Sequence, residues 1–431
     1  MKKKLLVVCG GQSSEHSISR ISCNSVMKHL DKDKYEITLV GIAKDGKWYI
    51  LKQEDNDLSK DTWLDGAEVV EGVFDLLRSQ DVAFPVLHGL YGEDGTIQGL
   101  FELAQLPYVG CRVFASSACM DKIFAKKVFE SAGIPQVKSV YVKKRNDGRL
   151  VVVEKDMEET EEVEASIMKE LGMPCFIKAS RSGSSVGCYR CDKEEDLMAK
   201  LEEAAKYDTH IVVEECVDCI ELETAVLGND DIIVSRVGQI MPHGEFYTFE
   251  SKYEDAESKT CIPAKVDEEI QEQIRKYAVR AFKAIDGHGL SRVDFFLDKK
   301  TNHVYLNEIN TLPGFTSISM YPQLMEDLGA QRFRLLSAPT GHNAFQLSSG
   351  CTRIGPSSAS SGSNTAGRTS YLTLIIFIAR STQASFSPAM IATGSPTKRT
   401  CWSRINRSYG LGSGQVCPAI VKRCCGTSFQ V

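Results

Sequence analysis

The sequence predicts an α/β protein that opens on a parallel-sheet unit and continues into strand-rich α+β units. Three observations predict it. The first 110 residues alternate apolar runs with helical stripes, and Gly-rich turns stand at the carboxyl ends of the strands, where open α/β sheets bind ligands. After Pro135 the texture changes to short strands with few helices. The 431 residues are 25% charged and 42% hydrophobic, an ordinary globular composition with length for several cored domains.

The elements follow in order. Leu5–Cys9 is an apolar strand. GGQSSEHS is a loop in which Ser13 or Ser14 is placed to cap a helix, and Ile18, Ile21, Val26 and Leu30 give that helix its stripe. YEITLVGIA is a second strand ending at Asp45-Gly46, and DVAFPVLHG a third ending on His88-Gly89. GEDGTIQGLFELAQLPYVG reads as turn, helix and Leu-Pro break; MDKIFAKKVFESAGI is another helix, stopped near Gly133. SVYVKK, a Glu-rich helix over 156–171, PCFIKASRSGSSVGCYRC and HIVVEECV form a small α+β unit. The last unit runs through ELETAVLG, IIVSRVG, a helix at 267–285, SRVDFFLD and NHVYLNEIN.

Bulk properties exclude several classes. MKKKLLVVCGGQSS imitates a signal peptide, but its apolar run is only Leu5 to Cys9, shorter than the roughly 7–15 residues of a secretory segment. The expectation is a first strand and a cytoplasmic protein. No apolar run approaches the roughly 18 residues of a membrane span, YLTLIIFIA included. The first 327 residues carry 40 basic and 57 acidic groups, a net of −17, which argues against a nucleic-acid footprint. Beyond Asp327 there is no Asp or Glu, and residues 350–370 are Ser/Gly/Thr-rich without periodicity. Residues 329–431 are expected to form a disordered tail, because such composition buries too little apolar surface to offset chain entropy. Cys188-Tyr-Arg-Cys191 and Cys216-Val-Asp-Cys219 have zinc-ribbon spacing. Both pairs fall in strand-like segments, however, and residues three apart on a strand face opposite sides, so buried thiols are expected.

Four features carry chemistry. FIKASRSGSSVG places Lys178 before a Gly/Ser loop whose Gly183, Ser184, Ser185 and Gly187 bring backbone N–H groups close to phosphate oxygens. SRVDFFLD puts Arg292, Asp294 and Phe296 on one strand face and Val293, Phe295 and Leu297 on the other. YLNEINTLPG ends a strand in Glu308 and Asn310, two positions apart and therefore on one face; a hairpin through residues 299–302 would bring them to Asp294. Three oxygen ligands beside a phosphate loop suit Mg²⁺ shared with nucleotide phosphates. EFYTFESKY gives Tyr247, Lys252 and Tyr253 to a loop able to close over a small substrate.

These residues resemble the D-alanine–D-alanine ligases of the ATP-grasp superfamily over roughly residues 3–328. The matching stretches occur in order: GGQSSEHSIS, PVLHGLYGEDGTIQGLFELAQLPYVG, SSACMDK, IKASRSGSSVG, EFYTFESKY, SRVDFFLD and NEINTLPGFTSISMYP. The resemblance implies an N-terminal α/β domain (1–110), a central ATP-grasp subdomain (111–215) and a C-terminal ATP-grasp domain (216–328), with ATP between the last two. It implies that ATP phosphorylates one D-alanine and that the amine of a second attacks the acylphosphate, yielding D-alanyl-D-alanine for peptidoglycan synthesis.

Site roles are implied residue by residue. Lys122 and Lys178 match lysines on ATP phosphates, Lys252 a loop lysine near the transferred group, and Glu214 and Glu221 positions near adenine and ribose. Asp294, Glu308 and Asn310 match ligands of Mg²⁺, with Mn²⁺ as an alternative. Glu15 matches the carboxylate on the first substrate's ammonium, and His88 a group near that substrate's carboxylate. Arg292 and the backbone near Gly314 match oxyanion stabilisers; Ser184 and Tyr253 link Glu15 to the closing loop, and Ser319 binds the second substrate's carboxylate. A homodimer is also implied, and D-alanine and ATP are the small-molecule partners. Met320 stands where D-serine-using relatives often carry a basic residue. Three other readings stay open: a D-alanine–D-serine ligase, a ligase for another amino acid, and an inactive nucleotide-binding variant whose C-terminus departs from the family after MYPQLMEDLG.

Overall fold

The computed structural model describes residues 2–52, 56–183, 185–241 and 259–329. The EFYTFESKY loop, YLTLIIFIA and residues 330–431 lie outside the described residues.

The first sheet has the order β4-β3-β2-β1-β5, from β1 (Lys3–Gly10), β2 (Tyr35–Ile42), β3 (Trp48–Ile50), β4 (Glu68–Val69) and β5 (Val82–Pro85). β1 pairs in parallel with β2 and β5, while β3 and β4 add an antiparallel edge. α1 (His16–His29) makes the β1–β2 crossover; α2 (Val73–Arg78) and α3 (Thr96–Ala104) flank β5 in sequence. β1 reads as a continuous apolar run because both faces are covered. Leu5, Val7 and Cys9 enter one core with α1, and Leu6 and Val8 enter another with Ile97 and Phe101 of α3.

Three local expectations change here. Neither Ser13 nor Ser14 caps α1; Glu15 takes the cap position, and the Ser13 hydroxyl donates to the His88 carbonyl (2.6 Å). Ile21 is exposed, and Cys23 is buried instead. The third strand is also shorter than its apolar run. It stops at Pro85 because Ser19 and Ser13 take the carbonyls of Val86 and His88, drawing the chain toward α1.

α4 (Val113–Met120) and α5 (Lys122–Ser131) lead into the second sheet. It is antiparallel, in the order β10-β9-β11-β6-β7-β8, from β6 (Ser139–Lys144), β7 (Leu150–Val153), β8 (Glu159–Thr160), β9 (Cys175–Ala179), β10 (Cys188–Cys191) and β11 (His210–Glu215). α6 (Val163–Glu170) and α7 (Leu197–Ala204) supply Val163, Ile167, Leu197 and Leu201 to its core. The Glu-rich helix expected over 156–171 is confined to α6. Asp156 accepts the Glu158 N–H (3.2 Å) and Met157 takes φ +72°, so this stretch turns into β8 instead. Cys188 and Cys191 lie on β10 as expected, but β11 ends at Glu215 and Cys216–Cys219 spans the loop to the next strand.

The third sheet has the order β15-β14-β12-β16-β17, from β12 (Cys219–Gly228), β14 (Gly238–Met241), β15 (Lys259–Cys261), β16 (Gly289–Asp298) and β17 (Val304–Asn310), with β13 (Ile233–Val234) beside β12. α8 (Glu268–Ala284) covers it through Ile274, Ala278, Ala281 and Phe282, one helical face. α9 (Met320–Asp327) buries Met320, Tyr321, Leu324 and Met325 in the core that also holds Leu5, Val7 and Phe84 of the first sheet. Each fully buried Leu or Met contributes about 1.5–3 kcal/mol. α9 therefore fixes the turn that precedes it against the first sheet.

Candidate active site

The β16–β17 hairpin is the floor of the site. Arg292 opposes Asn310 and Asp294 opposes Glu308, so all four side chains share one face. A register shift between Asp294 and Phe295 puts Phe295 opposite Leu306. Such a bulge adds twist and re-aims neighbouring side chains. Val293, Phe295 and Leu297 are buried on the opposite face. The Asn310 amide donates to Asp294 Oδ2 (2.9 Å). Arg292 donates to both Asp294 oxygens (2.8 and 2.7 Å), and its Nε lies 2.9 Å from Glu223 Oε2. Burial opposes the Arg292 charge, but Asp294 and Glu223 outweigh it and hold the guanidinium well above its ordinary pKa. Glu223 was not singled out from the sequence. Its alternation with Glu221 in ELETAVLG was the available signal, since β12 sets Glu223 opposite Asp294 and Glu221 opposite Phe296.

The second sheet supplies the lysines. Lys178 on β9 donates to Glu214 Oε2 on β11 (2.5 Å), and Lys126 on α5 lies 2.8 Å from the other oxygen. Glu214 is 3% exposed. Burial alone would raise its carboxyl, but the Lys126 and Lys178 charges win and hold it far below the carboxylate range. Lys178 is raised in return, Glu214 outweighing burial. Lys178 Nζ also sits 6.0 Å over the Phe296 ring, which brings it to the strand opposite Glu221. Lys122, at the start of α5, donates to the Ser182 carbonyl (2.9 Å) and lies 3.9 Å from Glu308 Oε2. This one ammonium joins the Gly/Ser loop to the hairpin carboxylate. Asp121 steadies it by accepting the Ile123 N–H (3.1 Å) as the α5 cap and the Ser180 hydroxyl (2.6 Å).

Glu15 and His88 come from the first sheet. A Cβ on Gly183 would stand 2.9 Å from Glu15 Oε2, and one on Gly89 (φ +70°) 2.6 Å from it. Glycine at Gly89 allows the left-handed backbone of the His88 loop, and at both positions a larger residue would push the Glu15 carboxylate aside. His88 is 5% exposed. Its Nε2 is 3.0 Å from Ser22 Oγ and its Nδ1 3.9 Å from Glu93 Oε1. Burial lowers the imidazole's basicity, yet the Glu93 and Glu15 carboxylates raise it overall. Burial pushes the Glu93 carboxyl up. Ser319 Oγ accepts the Thr316 N–H (3.0 Å) and lies 2.8 Å from where a Gly314 Cβ would be, so both belong to the turn between β17 and α9. Ser184, Lys252 and Tyr253 lie outside the described residues.

Two carboxylates and an amide on one face form an all-oxygen donor set, which fits Mg²⁺ or Mn²⁺ better than a softer metal. Among the described residues no group of three or more His, Cys, Asp and Glu forms a metal site, the paired Cys-x-x-Cys segments included. A parallel α/β unit followed by two antiparallel sheets with convergent lysines and carboxylates agrees with the fold class expected from the sequence, that of the ATP-grasp ligases.

Comparison with known proteins narrows the class. The family described as D-ala D-ala ligase N-terminus matches residues 4–111, and D-ala D-ala ligase C-terminus matches residues 128–338. The second match runs past Leu328, where the motif resemblance stops. The D-alanine–D-alanine ligase of Acetivibrio thermocellus is 45% identical over 355 residues, covering 76% of this chain and 92% of that one. That of Clostridium novyi is 45% identical over 344 residues, covering 78% and 96%. Among solved structures, the VanG D-Ala:D-Ser ligase from Enterococcus faecalis aligns with a TM-score of 0.67 and 37% identity over 76% of this chain and 96% of that one. The D-alanine–D-alanine ligase from Coxiella burnetii aligns with a TM-score of 0.66 and 35% identity over 78% and 92%. The chain belongs to the D-alanine–D-alanine ligase family.

Proposed function

We propose that this chain joins two D-alanines in an ATP-dependent reaction through an acylphosphate, with Mg²⁺ or Mn²⁺ as the metal, and that the three segments 1–110, 111–215 and 216–328 act as its domains. The observation that carries this is Lys122, whose ammonium meets both the Ser182 carbonyl and Glu308. Phosphate loop, cation and metal-type carboxylate thereby converge on one point, as phosphoryl transfer requires. Lys122 and Lys178 hold ATP phosphates, and Glu214 and Glu221 border the nucleotide. Asp294, Glu308 and Asn310 hold the metal, which when bound neutralises phosphoryl charge.

Glu15 pairs with the ammonium of the first D-alanine, and His88 faces its carboxylate side. Transfer breaks the bond from the γ-phosphorus to its bridging oxygen and forms one from a D-alanine carboxylate oxygen to that phosphorus. The second amine then attacks the carbonyl carbon. Arg292 and the backbone at Gly314 receive the developing oxyanion. Inorganic phosphate leaves with the original carboxylate oxygen. Ser319 orients the second carboxylate, while Ser184, Lys252 and Tyr253 close the site. Product synthesis for peptidoglycan in the cytoplasm fits this chemistry, and among the described residues no helix is long and apolar enough to cross a membrane. Exposed Leu103, Val113 and Phe114 on α3 and α4 support a homodimer.

Met320, which stands where D-serine-using relatives often carry a basic residue, is buried at the start of α9 beside Ser319. D-alanine is therefore the preferred second substrate, with D-serine weaker. One added hydroxyl changes selectivity by roughly 10²-fold at most in an apolar pocket. Purified chain with Mg-ATP and mixed D-amino acids, read by product mass, is expected to give mainly D-alanyl-D-alanine. Predominant D-alanyl-D-serine would overturn the assignment, and a monomeric mass in sedimentation would set the homodimer aside.

A further inference from the structure

Three buried serines lie on α1 and the loop before it, and the mechanism uses none of them. Ser13 holds the His88 carbonyl; Ser19 accepts the Gly10 N–H (2.8 Å) and donates to the Val86 carbonyl. Ser22 differs from both. It is 0% exposed on a helix that also buries Ile18, Ser19, Cys23 and Val26. Its hydroxyl meets His88 Nε2 at 3.0 Å and also accepts the Phe315 N–H at 3.4 Å. Phe315 follows Gly314 directly and is wedged edge-on against Phe84 of β5 and Tyr321 of α9. One hydroxyl thus touches both the group facing the first substrate and the turn that carries the oxyanion backbone.

We propose that Ser22 is a positioning residue for the ligation, aligning the His88 imidazole with the Gly314–Phe315 backbone so that the first substrate's carboxyl and the oxyanion site stay in register. The far side of the ring is set by Glu93, whose carboxylate faces Nδ1. Glu15 is the other charge acting on it. A hydroxyl both donates and accepts, so Ser22 serves the ring in either protonation state, while a methyl group serves neither. A serine that only filled space on this face would be replaceable by alanine.

The proposal rests on the ligase reading, and its test keeps the two apart. Ser22→Ala and Ser22→Thr are assayed in the full chain with Mg-ATP and D-alanine, alone and with His88→Gln. Losing a hydrogen bond to a charged group costs roughly tenfold or more. The expected result is that rise in the KM of the first D-alanine, an unmoved KM for ATP, partial rescue by threonine, and no further loss when Ser22→Ala is added to His88→Gln. The ring nitrogens of ¹⁵N-labelled His88 should also shift in Ser22→Ala. An unchanged D-alanine KM, full additivity with His88→Gln, or unmoved nitrogen shifts would overturn it. If the wild type makes no dipeptide, the ligase reading fails, while the nitrogen shifts still read the Ser22–His88 bond.

Discussion

Glu214→Gln is expected to destabilise the fold by about 3–5 kcal/mol at neutral pH, the cost of breaking a buried charge cluster from one side. The mutation leaves Lys126 and Lys178 facing a neutral amide in a site where Glu214 is 3% exposed. The sign with pH follows from the shifts. Glu214 is held below its ordinary 4.5, so its contribution is complete above pH 4.5 and disappears as pH falls through the lower folded value. Lys178 is held above its ordinary 10.5, so its share is complete below pH 10.5 and disappears as pH rises through the higher folded value. Denaturant melts of wild type and Glu214→Gln across pH should converge at the acid end. A constant gap from neutral pH to strong acid would show that the cluster is not an ionic one. The same mutation should weaken ATP binding, because Lys178 loses the partner that orients it.

Arg292→Ala is expected to lower kcat on the order of 10²–10³, the usual cost of one oxyanion donor. Arg292→Lys should recover only part of this, since an ammonium lacks the planar fork that spans both Asp294 oxygens. The geometry adds a second effect. Arg292 also faces Glu223, so its removal leaves two carboxylates without their shared cation and should tighten the site's hold on a divalent metal. Steady-state kinetics over a Mg²⁺ titration separates the two. A kcat that stays at the wild-type value would remove Arg292 from the oxyanion site and leave it a structural partner of Asp294 and Glu223.

Much of this site was legible because its chemistry follows local rules. Alternation along SRVDFFLD and NEIN predicts which face receives Arg292, Asp294, Glu308 and Asn310, and the hairpin brings them together. The bulge between Asp294 and Phe295 was not legible, because no glycine or proline marks it. Glu93 and Ser22 were missed for a different reason. Ser22 meets partners 66 and 293 positions away, and no periodicity of α1 encodes either contact. The early end of β5 and the lost serine cap have the same origin: the hydroxyls of Ser13, before α1, and Ser19, within it, are spent on carbonyls of the segment that follows β5. α4 went unread because SSACM is built of small residues without an amphipathic stripe. The Glu-rich segment misled because charge alone does not distinguish a solvated helix from a solvated edge hairpin. A side-chain-to-backbone bond at Asp156 decides that case.

The central claim is that a D-alanine carboxylate oxygen is phosphorylated before the peptide bond forms. Its most direct test is oxygen transfer from carboxyl-¹⁸O-labelled D-alanine in a reaction with Mg-ATP. The account predicts one ¹⁸O in each inorganic phosphate released, in step with dipeptide carrying the other in its peptide carbonyl. ADP formation with unlabelled phosphate would contradict it, since water rather than the substrate carboxylate would then have received the phosphoryl group.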